Sequence, residues 1–289
     1  MGDHRGNRAD FVVQSTEGVD VAVHDLGGEG PILLFAHATG FHGRVWQPVA
    51  DALRGRYHCL GMDLRGHGDS PLPPGVDVEW TGMAHDVLAV IEAVGAPVRA
   101  VGHSMGGAAL VLAELERPGS VERAYLFEPI IYPADLPDHN RRRDFMIEAA
   151  RRRREIFADR DEVYARYSAK PPLDALDPRA LRAYVDHGFE DLPDGTVRIK
   201  CRAETEASVF AHSVNGAYER LSDLHIPVLL ASGHIEAEAA SRFVPMIVEA
   251  LPHGQMHVDQ DLGHFGPLQH PELVAARIEE FMTEGDIES

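Results

Sequence analysis

The sequence predicts an α/β protein: a mostly parallel sheet of eight strands with helices on both faces and an inserted helical segment. Three observations carry that prediction. Short β-rich runs alternate with stretches of helical periodicity, which argues for parallel strands joined by crossover helices. Runs such as 31–37 (PILLFAH) are apolar almost throughout, as a strand covered on both faces has to be. The alternation breaks off over 132–221 and then resumes, which marks an insertion.

Taken in order, 11–14 and 19–24 form an opening hairpin with its turn at Glu17-Gly18. Strands follow at 31–37, 58–64, 98–102 and 121–127, and the last two lie at 227–232 and 255–260. Helices fill the gaps at 46–53, 83–94 and 108–116, and the late strands are followed by helices at 239–251 and 271–282. The core is accordingly 1–131 together with 222–289. The block 132–221 is polar, rich in arginine and broken by Pro137, Pro171, Pro172, Pro178 and Pro193. It reads as helical hairpins forming a lid over the C-terminal edge of the sheet, where open α/β sheets place their sites.

Hydrophobic residues make up 44% of the 289 positions, enough for one substantial core. The formal net charge of −19 repels nucleic acid and anionic lipid at long range, and otherwise serves solubility. Cys59 and Cys201 are too few for a disulfide framework, and neither sits in a CxxC pair that would suit zinc. No run approaches the ~20 apolar residues that span a bilayer. Residues 1–10 are polar, unlike a secretory signal, so a cytoplasmic protein is expected. Gly27-Gly28-Glu29-Gly30 precedes a strand and is a turn, not a dinucleotide motif. No cofactor or metal is expected. The expected partner is a small-molecule substrate, with neither nucleic acid nor membrane, and a homodimer is left open.

The sharpest signal is Gly102-His103-Ser104-Met105-Gly106-Gly107, a G-x-S-x-G with an apolar strand before it and a helical segment after it. The spacing has a steric reason. A strand that reverses abruptly into a helix puts Ser104 at a strained tip, and side chains two positions away on either side would collide there. The helix N-terminus also points backbone N–H groups at the site, ready for developing negative charge.

With these residues the chain resembles the α/β-hydrolase superfamily, in its lid-bearing esterase, lactonase and dehalogenase-like branch, from about residue 11 to 282. The resemblance implies an α/β-hydrolase fold and a serine nucleophile. It further implies an oxyanion hole made by the backbone N–H groups of Thr39 and Met105, each such donor being worth a few kcal/mol in the transition state. His37-Ala38-Thr39 departs from the family's usual His-Gly-x by carrying Ala38. His37 reads as a structural residue and Trp46 as core. Asp63-Leu64-Arg65-Gly66-His67-Gly68-Asp69-Ser70 resembles the family's D-x-R-G-x-G-x-S loop, which reads as a rigid brace.

The family places its histidine in a Gly-His-Phe loop after the last strand. Gly263-His264-Phe265 stands there, with Pro271 opening a helix beyond it. Position singles out His264 among 17 histidines, while His253, His257 and His270 read as surface residues. An imidazole titrates near neutral pH and can take and return the serine proton. Two carboxylates can orient it. Glu128 closes the strand at 121–127, as in a subset of dehalogenase-like relatives. Glu236 lies in Gly233-His234-Ile235-Glu236, where the family usually carries G-x-x-D. Topology favours Glu128 slightly.

Read together, these residues predict hydrolysis of a carboxylic ester, lactone or thioester through an acyl-enzyme. Serine at position 104 argues against dehalogenation, which needs an aspartate nucleophile. C–C bond hydrolysis, cofactor-free perhydrolysis and a non-catalytic ligand receptor use the same framework. The clusters 141–143 and 151–154 (RRR and RRRR) sit in the lid among Asp144, Glu148 and Glu155, and read mainly as a solvated face. One or two of these arginines facing the cavity would steer an anionic substrate.

Overall fold

Strands whose residues are apolar throughout can be hidden only by cover on both faces, and that requirement orders the fold. The computed structural model describes residues 9–95, 97–136, 139–236 and 239–283. The strands are β1 (Phe11–Gln14), β2 (Asp20–Gly27), β3 (Ile32–Ala36), β4 (His58–Met62), β5 (Val98–His103), β6 (Val121–Phe127), β7 (Ile156–Phe157), β8 (Phe189–Asp191), β9 (Val197–Ile199), β10 (Val228–Ser232) and β11 (Gly254–Val258). Eight of them form one sheet in the order β1-β2-β4-β3-β5-β6-β10-β11. β2 runs antiparallel to β1 and β4, and every other pairing in this sheet is parallel. All six residues of β5 and all five of β10 are buried.

The helices are α1 (Gln47–Leu53), α2 (Trp80–Val94), α3 (Met105–Glu116), α4 (His139–Arg151), α5 (Arg160–Tyr167), α6 (Pro178–His187), α7 (Ala203–Ala211), α8 (Val244–Ala250), α9 (Gly266–Gln269) and α10 (Pro271–Thr283). Side chains alternate across the sheet, so Leu34 and Ala36 join one core with α2, α3 and α8, while Leu33 and Phe35 join another with α1 and α10. The chain leaves β3 toward β4 on one side and reaches β5 on the other. This reversal opens a crevice beyond the C-terminal ends of β3 and β5.

The structure departs from expectation in three places. The insertion is not wholly helical: β7, β9 and β8 form a small antiparallel sheet. Phe189, Val197 and Ile199 bury one face of it, and Gly195, at φ 87°, makes the hairpin turn. The helix expected over 239–251 is split into a 3-10 turn (Ala240–Phe243) and α8, because Pro245 has no N–H to donate and must stand in a first turn. β4 ends at Met62, since Asp63 and Leu64 turn into the bracing loop. Residues 1–8, Pro137 and 284–289, which entered the reading of the polar start, the proline breaks and the core boundaries, lie outside the described residues. Among the described residues no helix is long and apolar enough to cross a membrane.

The Asp63–Ser70 loop braces the core. Asp63 Oδ1 accepts from the Gly43 N–H at 2.6 Å, and Oδ2 accepts from the Asp69 N–H at 2.7 Å. Arg65, wholly buried, pairs with the equally buried Asp86 at 2.8 Å and reaches Glu17 at 2.7 Å.

Candidate active site

Ser104 stands between β5 and α3 at φ 53° and ψ −113°, a left-handed geometry that costs a non-glycine residue about 1–3 kcal/mol. Neighbouring backbone holds it there. Its N–H donates to the Phe127 carbonyl at 3.0 Å, and its carbonyl accepts from Ile130 at 3.2 Å. The two flanking glycines are required by space. A Cβ on Gly102 would lie 2.5 Å from the Gly107 Cα, and one on Gly106 would lie 2.3 Å from the Ala36 carbonyl oxygen.

His264 lies in the loop between β11 and α9, and its Nδ1–H donates to Glu128 Oε2 at 2.6 Å. Glu128 follows β6 at φ 43° and is almost wholly buried. Its other oxygen accepts from the Gly233 N–H at 3.0 Å, and its own N–H donates to the Ala231 carbonyl at 2.9 Å. A proton on Nδ1 leaves Nε2 as the unprotonated nitrogen of His264. Glu236 does not join this group. It is exposed, its N–H donates to Ser241 Oγ at 3.1 Å, and it makes no bond to His264 among the described residues.

His103, the variable residue between Gly102 and Ser104, was not singled out by sequence reasoning. Its Nε2–H donates to the His264 carbonyl at 2.7 Å, tying the serine turn to the histidine loop. Burial, and after it the neighbouring His264, holds its pKa well below the ordinary imidazole range, so it stays neutral. Its place inside the motif was the available signal.

Thr39 follows β3 and lines the same cavity as Ser104 and His264. Met105 is the first residue of α3, so its N–H has no acceptor within the helix. Neither N–H has a hydrogen-bond acceptor among the described residues. Ala38 is accommodated because the left-handed residue of this loop is Gly40, at φ 82°. His37 donates from Nδ1 to the Ala38 carbonyl at 2.8 Å and accepts at Nε2 from the Leu64 N–H at 3.1 Å. Burial, followed by the neighbouring His67, pushes its pKa down to about 3. Both ring nitrogens are thus used in bracing the loop. Trp46 is wholly buried against Phe35.

The cavity, about 620 Å³, lies between these core loops and the insertion. Phe157, Tyr167, Leu173 and Phe210 supply apolar wall. Among the described residues seven arginines and one carboxylate, Glu206, also line it. Arg153 donates to Glu206 at 2.8 Å and to the Tyr184 hydroxyl, beside Gly40. His24, Asp63 and Asp69 lie within ligating reach of one another. Asp63 already accepts from the Gly43 and Asp69 N–H groups and meets His24 Nε2 at 2.9 Å, and Lys200 Nζ donates to Asp69 at 2.5 Å, which suits a brace better than a cation.

The strand order, the crossover helices and the serine at the β5–α3 turn define the α/β-hydrolase fold. The chain belongs to the alpha/beta hydrolase family, whose profile matches residues 33–277. It is 24% identical over 259 residues to a pimeloyl-[acyl-carrier protein] methyl ester esterase of Aeromonas hydrophila subsp. hydrophila, covering 88% of this chain and 96% of that one. It is 38% identical over 109 residues to protein phosphatase methylesterase 1 of Mus musculus, covering 35% of this chain. The match spans only 28% of that methylesterase's length. Among solved structures, an E-2-(acetamidomethylene)succinate hydrolase superposes with a TM-score of 0.81 at 21% identity, over 94% of this chain and 98% of that one.

Proposed function

We propose that the protein hydrolyses a carboxylic ester, lactone or thioester with Ser104, His264 and Glu128 as its catalytic triad. The observation that carries this reading is the 2.6 Å bond between His264 Nδ1 and the buried Glu128, at a cavity that Ser104 and His264 both line. Glu128 fixes the tautomer, so Nε2 takes the Ser104 proton as Oγ attacks the carbonyl carbon. The Thr39 and Met105 N–H groups receive the oxyanion. His264 passes the proton to the leaving alcohol or thiol, and an acyl-enzyme remains. Water then attacks the acyl carbon, gives a proton to His264, and releases the acid as that proton returns to Ser104. The insertion acts as a lid that keeps bulk water from the acyl group.

The relatives support ester chemistry, since two of them are named as methyl ester esterase and methylesterase. A small-molecule substrate and a cytoplasmic location belong to the same proposal. A panel of 4-nitrophenyl acyl esters, with Ser104→Ala as control, tests it. Turnover that falls roughly 10³-fold or more in the variant supports the reading. Binding of esters without turnover by the unaltered protein would instead make it a receptor.

A further inference from the structure

A row of aromatic rings begins at His264 and runs into the insertion. Phe265 packs against His264 with ring centroids 5.4 Å apart, and Phe41 stands 5.6 Å from Phe265. Tyr184, on α6, lies 4.7 Å from Phe41. Tyr167, at the end of α5, stacks on Tyr184 at 6.0 Å, and Phe157, in β7, meets Tyr167 edge-on at 6.0 Å. All five rings line the cavity, and Leu173 lines it with them. The charges along this row are already met. Arg153 pairs with Glu206 at 2.8 Å and donates to the Tyr184 hydroxyl. Arg154 pairs with Glu162 at 2.6 Å and lies over the Phe157 ring, 4.3 Å from its centroid. What the row offers a ligand is therefore ring face and ring edge. Phe41, Tyr184, Tyr167 and Phe157 are buried in contact with one another, so this wall is formed before a ligand arrives and costs little to order.

The proton transfer says which half of the substrate meets this wall. His264 Nε2 has to reach the leaving oxygen or sulfur to protonate it, so the alcohol or thiol half departs on the His264 side, where the row begins. We infer that this half carries an apolar ring, an arylmethyl group fitting best, and that Phe41, Tyr184, Tyr167, Phe157 and Leu173 bind it. The inference rests on the hydrolytic reading above and adds to it the chemistry of the leaving group. One more ring extends a row already packed offset and edge-to-face, at the separations of about 4.5–7 Å that aromatic pairs prefer. A methyl ester would leave the row unfilled.

The test compares benzyl acetate with methyl acetate, whose leaving alcohols are of similar acidity, and with methyl phenylacetate, the isomer that carries the ring on its acyl half. The expected kcat/KM for benzyl acetate exceeds that for methyl acetate by at least about tenfold. Leu173→Trp, which adds bulk to the wall, and separately Tyr167→Leu, which removes a ring, should each lower the ratio of benzyl acetate to methyl phenylacetate by about fivefold or more. A benzyl-to-methyl preference near one in the unaltered enzyme overturns the inference. So does a ratio between the isomers unmoved in both variants. If none of the three esters is cleaved, binding decides the subsite, and the 4-nitrophenyl panel decides separately whether the hydrolytic reading stands. Ligand-observed NMR titration of the unaltered protein with benzyl alcohol then serves. Binding that weakens about fivefold or more in Leu173→Trp or Tyr167→Leu upholds the subsite. No binding of benzyl alcohol, or binding unmoved in both variants, overturns it.

Discussion

Glu128 and His264 stand 136 positions apart in the chain and meet at 2.6 Å, carboxylate to imidazole. The meeting depends on an unusual backbone. Glu128 follows β6 at φ 43°, a left-handed geometry, and the Gly233 N–H holds its second oxygen at 3.0 Å. A buried carboxylate so fixed has one face left for a partner, and His264 occupies it.

Glu128→Gln should lower kcat by roughly 10³–10⁴-fold with little change in KM, because the amide cannot stabilise an imidazolium and can turn the wrong atom toward Nδ1. Glu236→Gln should leave kcat within about twofold, since its side chain is exposed and does not reach His264. Steady-state kinetics on one activated ester decide between them, and the reverse ranking would remove Glu128 from the triad.

His103→Phe keeps a ring in place but deletes the 2.7 Å bond to the His264 carbonyl. The orphaned carbonyl should cost about 1–3 kcal/mol of stability. Loosening of the histidine loop should also lower kcat, by roughly tenfold, beyond any effect of lost protein. Active-site titration with a phosphonate separates the two contributions. Unchanged turnover per titrated site would show that the bond serves stability alone.

Gly106→Ala puts a methyl group 2.3 Å from the Ala36 carbonyl oxygen, a backbone atom that cannot step aside. Destabilisation of about 1–3 kcal/mol is expected, read as a fall in Tm of several degrees, together with loss of turnover as the serine tip shifts. Asp86→Asn should cost more, about 3–5 kcal/mol, because it leaves the buried Arg65 charge without its buried counter-charge. Glu17→Gln, at the exposed end of the same arginine, should cost less than about 1 kcal/mol. Equal losses for these two variants would contradict the buried-pair account.

Acid should weaken the fold before its carboxylates titrate. His37 is buried as the neutral imidazole, with a folded pKa of about 3 against an ordinary 6.5. Between those values the unfolded chain binds a proton that the folded chain does not, so stability falls as pH drops through that window and levels off below it. The slope from one such histidine is about 1.4 kcal/mol per pH unit. His103 and His42, also buried, add in the same direction. Urea midpoints from pH 7.5 to 4.5 should decline steadily, and His37→Gln should flatten the decline. A midpoint independent of pH over that range would refute the assignment.

Much of the fold was legible because its signals are local. Continuous apolar runs mark doubly covered strands, and Gly102 and Gly106 mark a turn too tight for side chains. Pro245 shows the limit: the helical pattern was read correctly, but the proline's missing N–H moved the start of α8 to Val244. The small sheet of β7, β8 and β9 was missed because strands of two and three residues carry no readable period.

The sequence alone determined the fold class, the serine turn and the histidine loop, because each is written within a few neighbouring residues. Only the tertiary structure decided which carboxylate faces His264, that His103 ties the two loops together, and which arginines turn toward the cavity. Those are relations between segments more than a hundred positions apart or across a helix face. No local pattern encodes them, since they are set by how strands and insertion pack once the chain is closed upon itself.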